Sequence, residues 1–175
     1  MASSRRGFFR ELLETVLIAL VLSQVIRVFI VETIVVDGTS MEPTLHNGER
    51  LLINKFIYRF RLPRTGDLIA FRYPYDPRRD FIKRVIAHQG QTVEIRQGQV
   101  YVDGAPLDEP YIANAGRSDY PLTRIHEGAI FVLGDNRPDS EDSRFPEVGQ
   151  VPLANIKGVV FARSWPLRRL AWLSR

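Results

Sequence analysis

Ser40 stands in the run Ser40-Met41-Glu42-Pro43-Thr44-Leu45, a few residues after a long apolar N-terminal segment. A serine hydroxyl is a poor nucleophile until a base removes its proton, so the chain must also supply a base. The three histidines, His46, His88 and His126, lie far apart and form no H-x-x-x-H pair, and there is no cysteine. This composition excludes disulfides, thiolate metal sites and a cysteine nucleophile, and offers little for a histidine-held metal. A lysine can act as base if apolar surroundings lower its pKa from about 10.4 toward neutrality. Lys83 has that setting. In a strand, Phe81, Lys83, Val85 and Ala87 share one face, and Ile82, Arg84 and Ile86 share the other. The bland alternative is a lysine snorkelling from a half-buried strand.

Ser40 also has a bland reading. Thr39-x-x-Glu42 is a capping-box pattern, in which Ser40 would merely occupy a capped turn. A turn starting there would equally aim backbone N–H groups at whatever lies beside Ser40, as an oxyanion hole requires. The two readings are compatible. A third polar segment, Gly134-Asp-Asn-Arg-Pro-Asp-Ser-Glu-Asp-Ser-Arg144, reads as a loop tied together by Asp–Arg pairs. A calcium loop fits it worse, because Arg137 and Ser140 fall where an acidic ligand and the turn glycine belong.

The elements that must position these groups begin with an apolar helix. Thr15 to Ile26 carries no charge, Arg27 interrupts, and Val28 to Val31 is apolar again. Residues 15–31 as a helix would span about 25 Å against a bilayer core of about 30 Å. Leu12, Leu13 and a snorkelling Arg27 would extend the usable length. No small-x-small site follows that would mark a cleaved signal peptide, and Thr15–Ile26 shows little of the polar face a buried soluble helix needs. The pattern predicts one membrane anchor over residues 12–32. Arg5, Arg6 and Arg10 keep residues 1–11 cytoplasmic, which places 33–175 outside the membrane.

The body predicts short strands: 33–36 before Asp37-Gly38, then LIAFRY after Gly66-Asp67, 81–87, 129–133 before Gly134-Asp135, and 157–165. Residues 93–104 read as a hairpin around Gln97-Gly98, followed by an Asp-Gly turn. The fold expectation is therefore a mainly β, mostly antiparallel domain after one N-terminal transmembrane helix. The chain has 175 residues, enough for one domain with a real core. Lys and Arg number 24 against 20 Asp and Glu, and the excess of +4 sits at the ends of the chain. Without Arg163, Arg168, Arg169, Arg175 and the N-terminal arginines the middle is near neutral. No nucleic-acid stripe is expected. Basic ends beside aromatic residues, as in Trp165 to Leu173, fit contact with membrane lipid, an ordinary packed tail being the alternative.

In these motifs the chain resembles the bacterial type I signal peptidases, serine/lysine proteases of the plasma membrane. The resemblance runs from the anchor through SMEPTL (40–45), GDLIAF (66–71), KRVIAHQG (83–90) and GDNRPDSEDSR (134–144). It implies an antiparallel-sheet catalytic domain of the signal-peptidase type outside the membrane and removal of signal peptides from secreted preproteins after small residues. It also implies a Ser40 nucleophile, a Lys83 general base and a Ser140 hydroxyl that orients the lysine. Asp142 and Arg144 would form an ion pair holding the loop, with Asp135 and Arg84 in the same network. The Ser40 backbone N–H would serve the oxyanion. No metal or organic cofactor is implied, and a monomer is expected. Two departures stand out. Gly38 replaces a serine that in some members is a second oxyanion donor, and Gly90-Gln91 replaces a Gly-Asp pair. The short stretch from Lys83 to Gly134 predicts at most a small β-hairpin insert near 91–125. Two rival readings are a self-cleaving Ser/Lys repressor, for which residues 1–36 offer no helix-turn-helix, and a membrane-anchored binding protein without catalysis.

Overall fold

The computed structural model describes residues 2–173. A helix, α1 (Ala2–Phe29), gives way at Ile30 to strand β1 (Val31–Val35). Val31 and Glu32, expected within the anchor, therefore belong to the first strand, where they pair with Asn54 and Ile53. Among the described residues no helix is long and apolar enough to cross a membrane. Glu11 and Glu14 precede the uncharged run Thr15–Ile26, which by itself covers only about 18 Å as a helix.

The remaining strands are β2 (Arg50–Asn54), β3 (Leu68–Arg72), β4 (Asp80–His88), β5 (Thr92–Arg96), β6 (Gln99–Val102), β7 (Ala105–Pro106), β8 (Tyr120–Arg124), β9 (Ala129–Leu133), β10 (Val151–Pro152), β11 (Ile156–Trp165) and β12 (Ala171–Trp172). They form two antiparallel sheets. The larger has the order β1-β2-β11-β3-β4-β9-β10, with β12 hairpinned onto β11. The smaller has the order β7-β6-β5-β8. Mainly β, antiparallel architecture is thus as the turn-punctuated sequence predicts. β3, β4, β9 and β11 fall within a residue or so of their expected positions because each is a β-rich apolar run bounded by turn residues.

β4 is the element that matters most for the site. It lies inside the large sheet between β3 and β9, and every residue from Ile82 to Ala87 is buried. Its two faces feed different cores. Ile82 packs with Met41, Leu45, Leu51 and Ile53, while Val85 packs with Phe71, Ile130 and Val132. Ile86 and Ala87 join Val93, Ile95, Val100 and Phe131 in a third cluster shared with the small sheet. Burying each large aliphatic side chain contributes about 1.5–3 kcal/mol, so the strand's position is over-determined.

The small sheet is larger than the expected hairpin. The β5–β6 turn is the predicted one, with Gln97 at φ 50° and Gly98 at φ 86°, the left-handed pair a two-residue turn needs. β8, however, returns to pair with β5, so residues 92–124 make four strands instead of two. β8 reads YPLTR, with proline inside it, which masks its strand character in the sequence.

Candidate active site

Ser40 sits in a turn between β1 and β2. The Glu42 N–H donates to the Thr39 carbonyl at 3.0 Å, and the Leu45 N–H to the Met41 carbonyl at 2.9 Å. Met41 and Leu45 are buried in the core and pin the turn from below. The capping box does not form: the Glu42 N–H goes to the Thr39 backbone carbonyl and not to its hydroxyl, which donates to the Asp139 carboxylate. From the other side, the Asn136 N–H donates to the Ser40 carbonyl at 3.0 Å, and the Asn136 side-chain amide donates to the Thr39 carbonyl at 3.2 Å.

Lys83 reaches Ser40 from β4: its Nζ lies 2.7 Å from Ser40 Oγ. The lysine is only 4% exposed, so it does not snorkel. Burial strips water from the ammonium and pushes its pKa down from 10.5 to about 8. The carboxylates of Asp142, Glu141 and Asp135 pull the other way, and the Arg144 cation adds to the fall. The Phe81 ring stands 5.1 Å from Nζ, which keeps the approach dry on that side.

The Gly134–Arg144 loop follows β9 directly. Asp142 is fully buried and accepts from both Nε and Nη2 of Arg144, at 2.8 and 2.9 Å. It also accepts the Gly134 N–H at 3.0 Å and the Ser140 hydroxyl at 2.7 Å. The Ser140 proton thus goes to a carboxylate, a stronger acceptor than an amine, and the side-chain partner of Lys83 is Ser40. Arg144 further donates to the Arg137 carbonyl at 2.7 Å and the Ser118 hydroxyl at 2.9 Å. Gly134 is required by close approach, since a Cβ there would overlap the Ser140 hydroxyl and the Ser40 carbonyl.

Arg84, on the opposite face of β4 from Lys83, pairs with Asp135 through two bonds of 2.9 and 2.6 Å, both residues being almost wholly buried. All seven side chains expected at the site therefore lie in one connected neighbourhood. Several partners escape sequence reasoning. The Thr44 hydroxyl donates to Asp135 at 2.5 Å, joining the Ser40 turn to that ion pair. Glu109, from the segment after β7, pairs with buried Arg137, and the Tyr111 ring lies 3.8 Å from the Arg84 guanidinium. Buried Glu49 is held by Arg163 at 2.8 and 2.9 Å, and Arg163 also donates to the Thr44 carbonyl at 3.3 Å. Glu49 and Arg163 are 114 residues apart, and nothing local in the sequence signals the pairing.

The Ser40 N–H has no acceptor among the described residues. The Gly38 N–H, by contrast, is taken by Asn47 Oδ1 at 3.0 Å. Ser40 and Lys83 open onto a groove of ≈ 610 Å³ between the end of β1, the start of β4 and residues 138–141. Its walls beside Ser40 are Ile34, Val36, Met41 and Ile82. No group of three acidic or histidine side chains among the described residues is placed to hold a metal ion.

A hydroxyl in contact with a desolvated amine, at the floor of a groove in an antiparallel β domain, has the makings of a serine hydrolase with a lysine base. Residues 9–165 match the family described as Signal peptidase, peptidase S26, and the chain belongs to that family of serine peptidases. It is 41% identical over 169 residues to the Probable signal peptidase I-1 of Synechocystis sp., covering 93% of this chain and 85% of that one. It is 37% identical to the Signal peptidase I of Leptolyngbya laminosa, covering 93% and 83%. The crystal structure of a signal peptidase I from Enterococcus faecalis superposes with a TM-score of 0.51 at 36% identity. That match covers 57% of this chain and 97% of the other.

Proposed function

We propose that this chain is a membrane-anchored endopeptidase that removes N-terminal signal peptides from exported preproteins, with Ser40 as nucleophile and Lys83 as general base. The observation that carries the reading is the 2.7 Å contact between Lys83 Nζ and Ser40 Oγ, made by an amine buried enough to lose its proton near pH 8. Neutral Lys83 takes the Ser40 proton as Oγ attacks the scissile carbonyl, and the oxyanion is met by the Ser40 N–H. Lys83 then returns the proton to the leaving amine, freeing the mature chain. Water, deprotonated by the same lysine, attacks the acyl-enzyme and releases the signal peptide with Ser40 restored. Gly38 offers no second hydroxyl donor, and its N–H is spent on Asn47. Asp142 with Arg144, and Arg84 with Asp135, act as positioning pairs, and Ser140 supports the lysine through Asp142. The aliphatic lining of the groove suits an apolar side chain before the cut, and the preference for a small one is carried over from the family resemblance.

Membrane anchoring finds support in α1. Every residue from Glu11 to Gln24 is exposed, including Leu13 at 69% and Leu17 at 60%, so this apolar surface calls for lipid to cover it. Trp165, Leu167, Leu170 and Trp172 are likewise exposed beside Arg168, as an interfacial contact requires. The topology proposed is α1 in the plasma membrane, its N-terminus cytoplasmic and the β domain outside. Shielding of the β domain from external protease in intact spheroplasts would contradict that orientation.

The catalytic test uses detergent-solubilised protein and a secretory preprotein. The wild type converts it to the mature form. Ser40→Ala, Lys83→Ala and Lys83→Arg lose at least about a thousandfold in rate, the guanidinium failing because it stays protonated. Cleavage that survives these changes refutes the dyad.

A further inference from the structure

The groove that holds Ser40 and Lys83 contains one feature the catalytic reading leaves unused. Arg79 lines it and is exposed, immediately before β4. Arg79, Phe81 and Lys83 alternate onto the same face of the strand, so the three side chains form a row along the groove. The row is rigid. The Tyr73 N–H donates to the Arg79 carbonyl at 2.9 Å, fixing the backbone. The Phe81 and Tyr73 rings stack at 4.4 Å, and the Arg79 guanidinium lies 5.3 Å from the first ring and 5.6 Å from the second.

The charges around it are already engaged. Asp80 is neutralised by Lys157 at 2.7 Å, while Glu141 and Asp139 keep their charge but are held in place by the Tyr73 and Thr39 hydroxyls. Arg79 forms no ion pair among the described residues, and Asp76, the acid that feels its charge, is already paired with Arg78 at 3.0 Å. An exposed guanidinium held on an aromatic floor, with its donors unspent, is a ready receptor for a carboxylate. Both cationic groups face the Phe81 ring, whose centroid lies 5.3 Å from the Arg79 guanidinium and 5.1 Å from Lys83 Nζ, so they stand at most about 10 Å apart. An extended peptide in the groove rises about 3.3 Å per residue, so Arg79 meets a side chain about three residues from the cleaved bond.

We infer that Arg79 is a specificity-determining residue that binds an acidic side chain of the peptide substrate about three residues from the scissile bond. The inference rests on the peptidase reading above, and the neutral parent peptide separates the two. If the wild type fails to cut that parent, the peptidase reading fails; if it cuts the parent, the charge series decides the role of Arg79. The series carries Asp, Asn or Lys singly at positions two to six from the cut, on each side, in one small-x-small peptide. The expected result is one position, two to four residues from the cut, where Asp raises kcat/KM over Asn by about fivefold, an advantage that shrinks as salt is added. In Arg79→Gln the Asp-to-Asn ratio at that position falls to about one, and in Arg79→Glu it inverts in favour of Lys. Because ratios are compared within each variant, a general loss of stability does not mimic the result. Absence of any acid-preferring position in the wild type, preference for Lys there, or an Asp advantage that survives in Arg79→Gln overturns the assignment.

Discussion

Replacing Lys83 by Met should make the protein more stable at neutral pH while abolishing activity. The folded protein holds the lysine's pKa near 8 against 10.5 for the free side chain. At about 1.4 kcal/mol per pH unit, burying the ammonium costs the fold about 3 kcal/mol. The pH window follows from linkage. Below pH 8 the folded and unfolded chains both carry the proton and the cost is present in full. Between 8 and 10.5 the unfolded chain holds more protons, so wild-type stability rises with pH, and above 10.5 the cost is gone. Met fills a similar apolar volume without charge but forfeits the bond to Ser40, about 1 kcal/mol. Lys83→Met should therefore exceed the wild type by about 2 kcal/mol at pH 7, about 4–8 °C in Tm for a domain of this size. The two stability curves should cross at about pH 9.5. Thermal unfolding of detergent-solubilised protein, followed by circular dichroism from pH 6 to 11, measures both curves. A variant less stable than the wild type at pH 7, or a difference that stays flat between pH 8 and 10.5, refutes the claim that desolvation sets the lysine's pKa.

The same lysine governs the pH–rate profile. With a pKa of about 8, only about a tenth of Lys83 is neutral at pH 7, and kcat/KM should fall about tenfold per pH unit below that. Asp142 is the foremost carboxylate holding this pKa up, so Asp142→Asn should move the acid limb to lower pH. It should also lower stability by about 3 kcal/mol, because Arg144 loses its buried partner. An acid limb that stays in place or rises contradicts the electrostatic role given to Asp142. Gly134→Ala should cut activity with a stability loss of about 1–3 kcal/mol, since the new methyl group must displace Ser140 or the Ser40 turn. Wild-type turnover in that variant would show that the close approach is not needed.

Much of the scaffold is readable from local signals. β9 matches its expected span, and β3, β4 and β11 come close, because a strand buried on both faces needs a continuous apolar run and such runs end at turn residues. β10 and β12 are too short to leave a pattern, and β8 hides behind its proline. The end of α1 also lies outside local reach. Ile30 to Val35 is as apolar as the helix before it, and what makes Val31–Val35 a strand is pairing with β2.

Local sequence limits the chemical kind of each group at the site. A serine in a turn-forming run, a lysine flanked by Phe81, Ile82 and Val85, and an Asp–Arg loop after an apolar strand are local facts, and residue type limits what each can do. The tertiary structure decided which of these groups meet and in what state. Ser40 and Lys83 are 43 residues apart, and only the packing of β4 between β3 and β9 sets Nζ against Oγ and excludes the water that would keep it charged. It also decided that Ser140 donates to Asp142, that Glu109 neutralises Arg137, and that Glu49 and Arg163 brace the Ser40 turn. Desolvation and long-range pairing are properties of the assembled surroundings, and no window of sequence contains them.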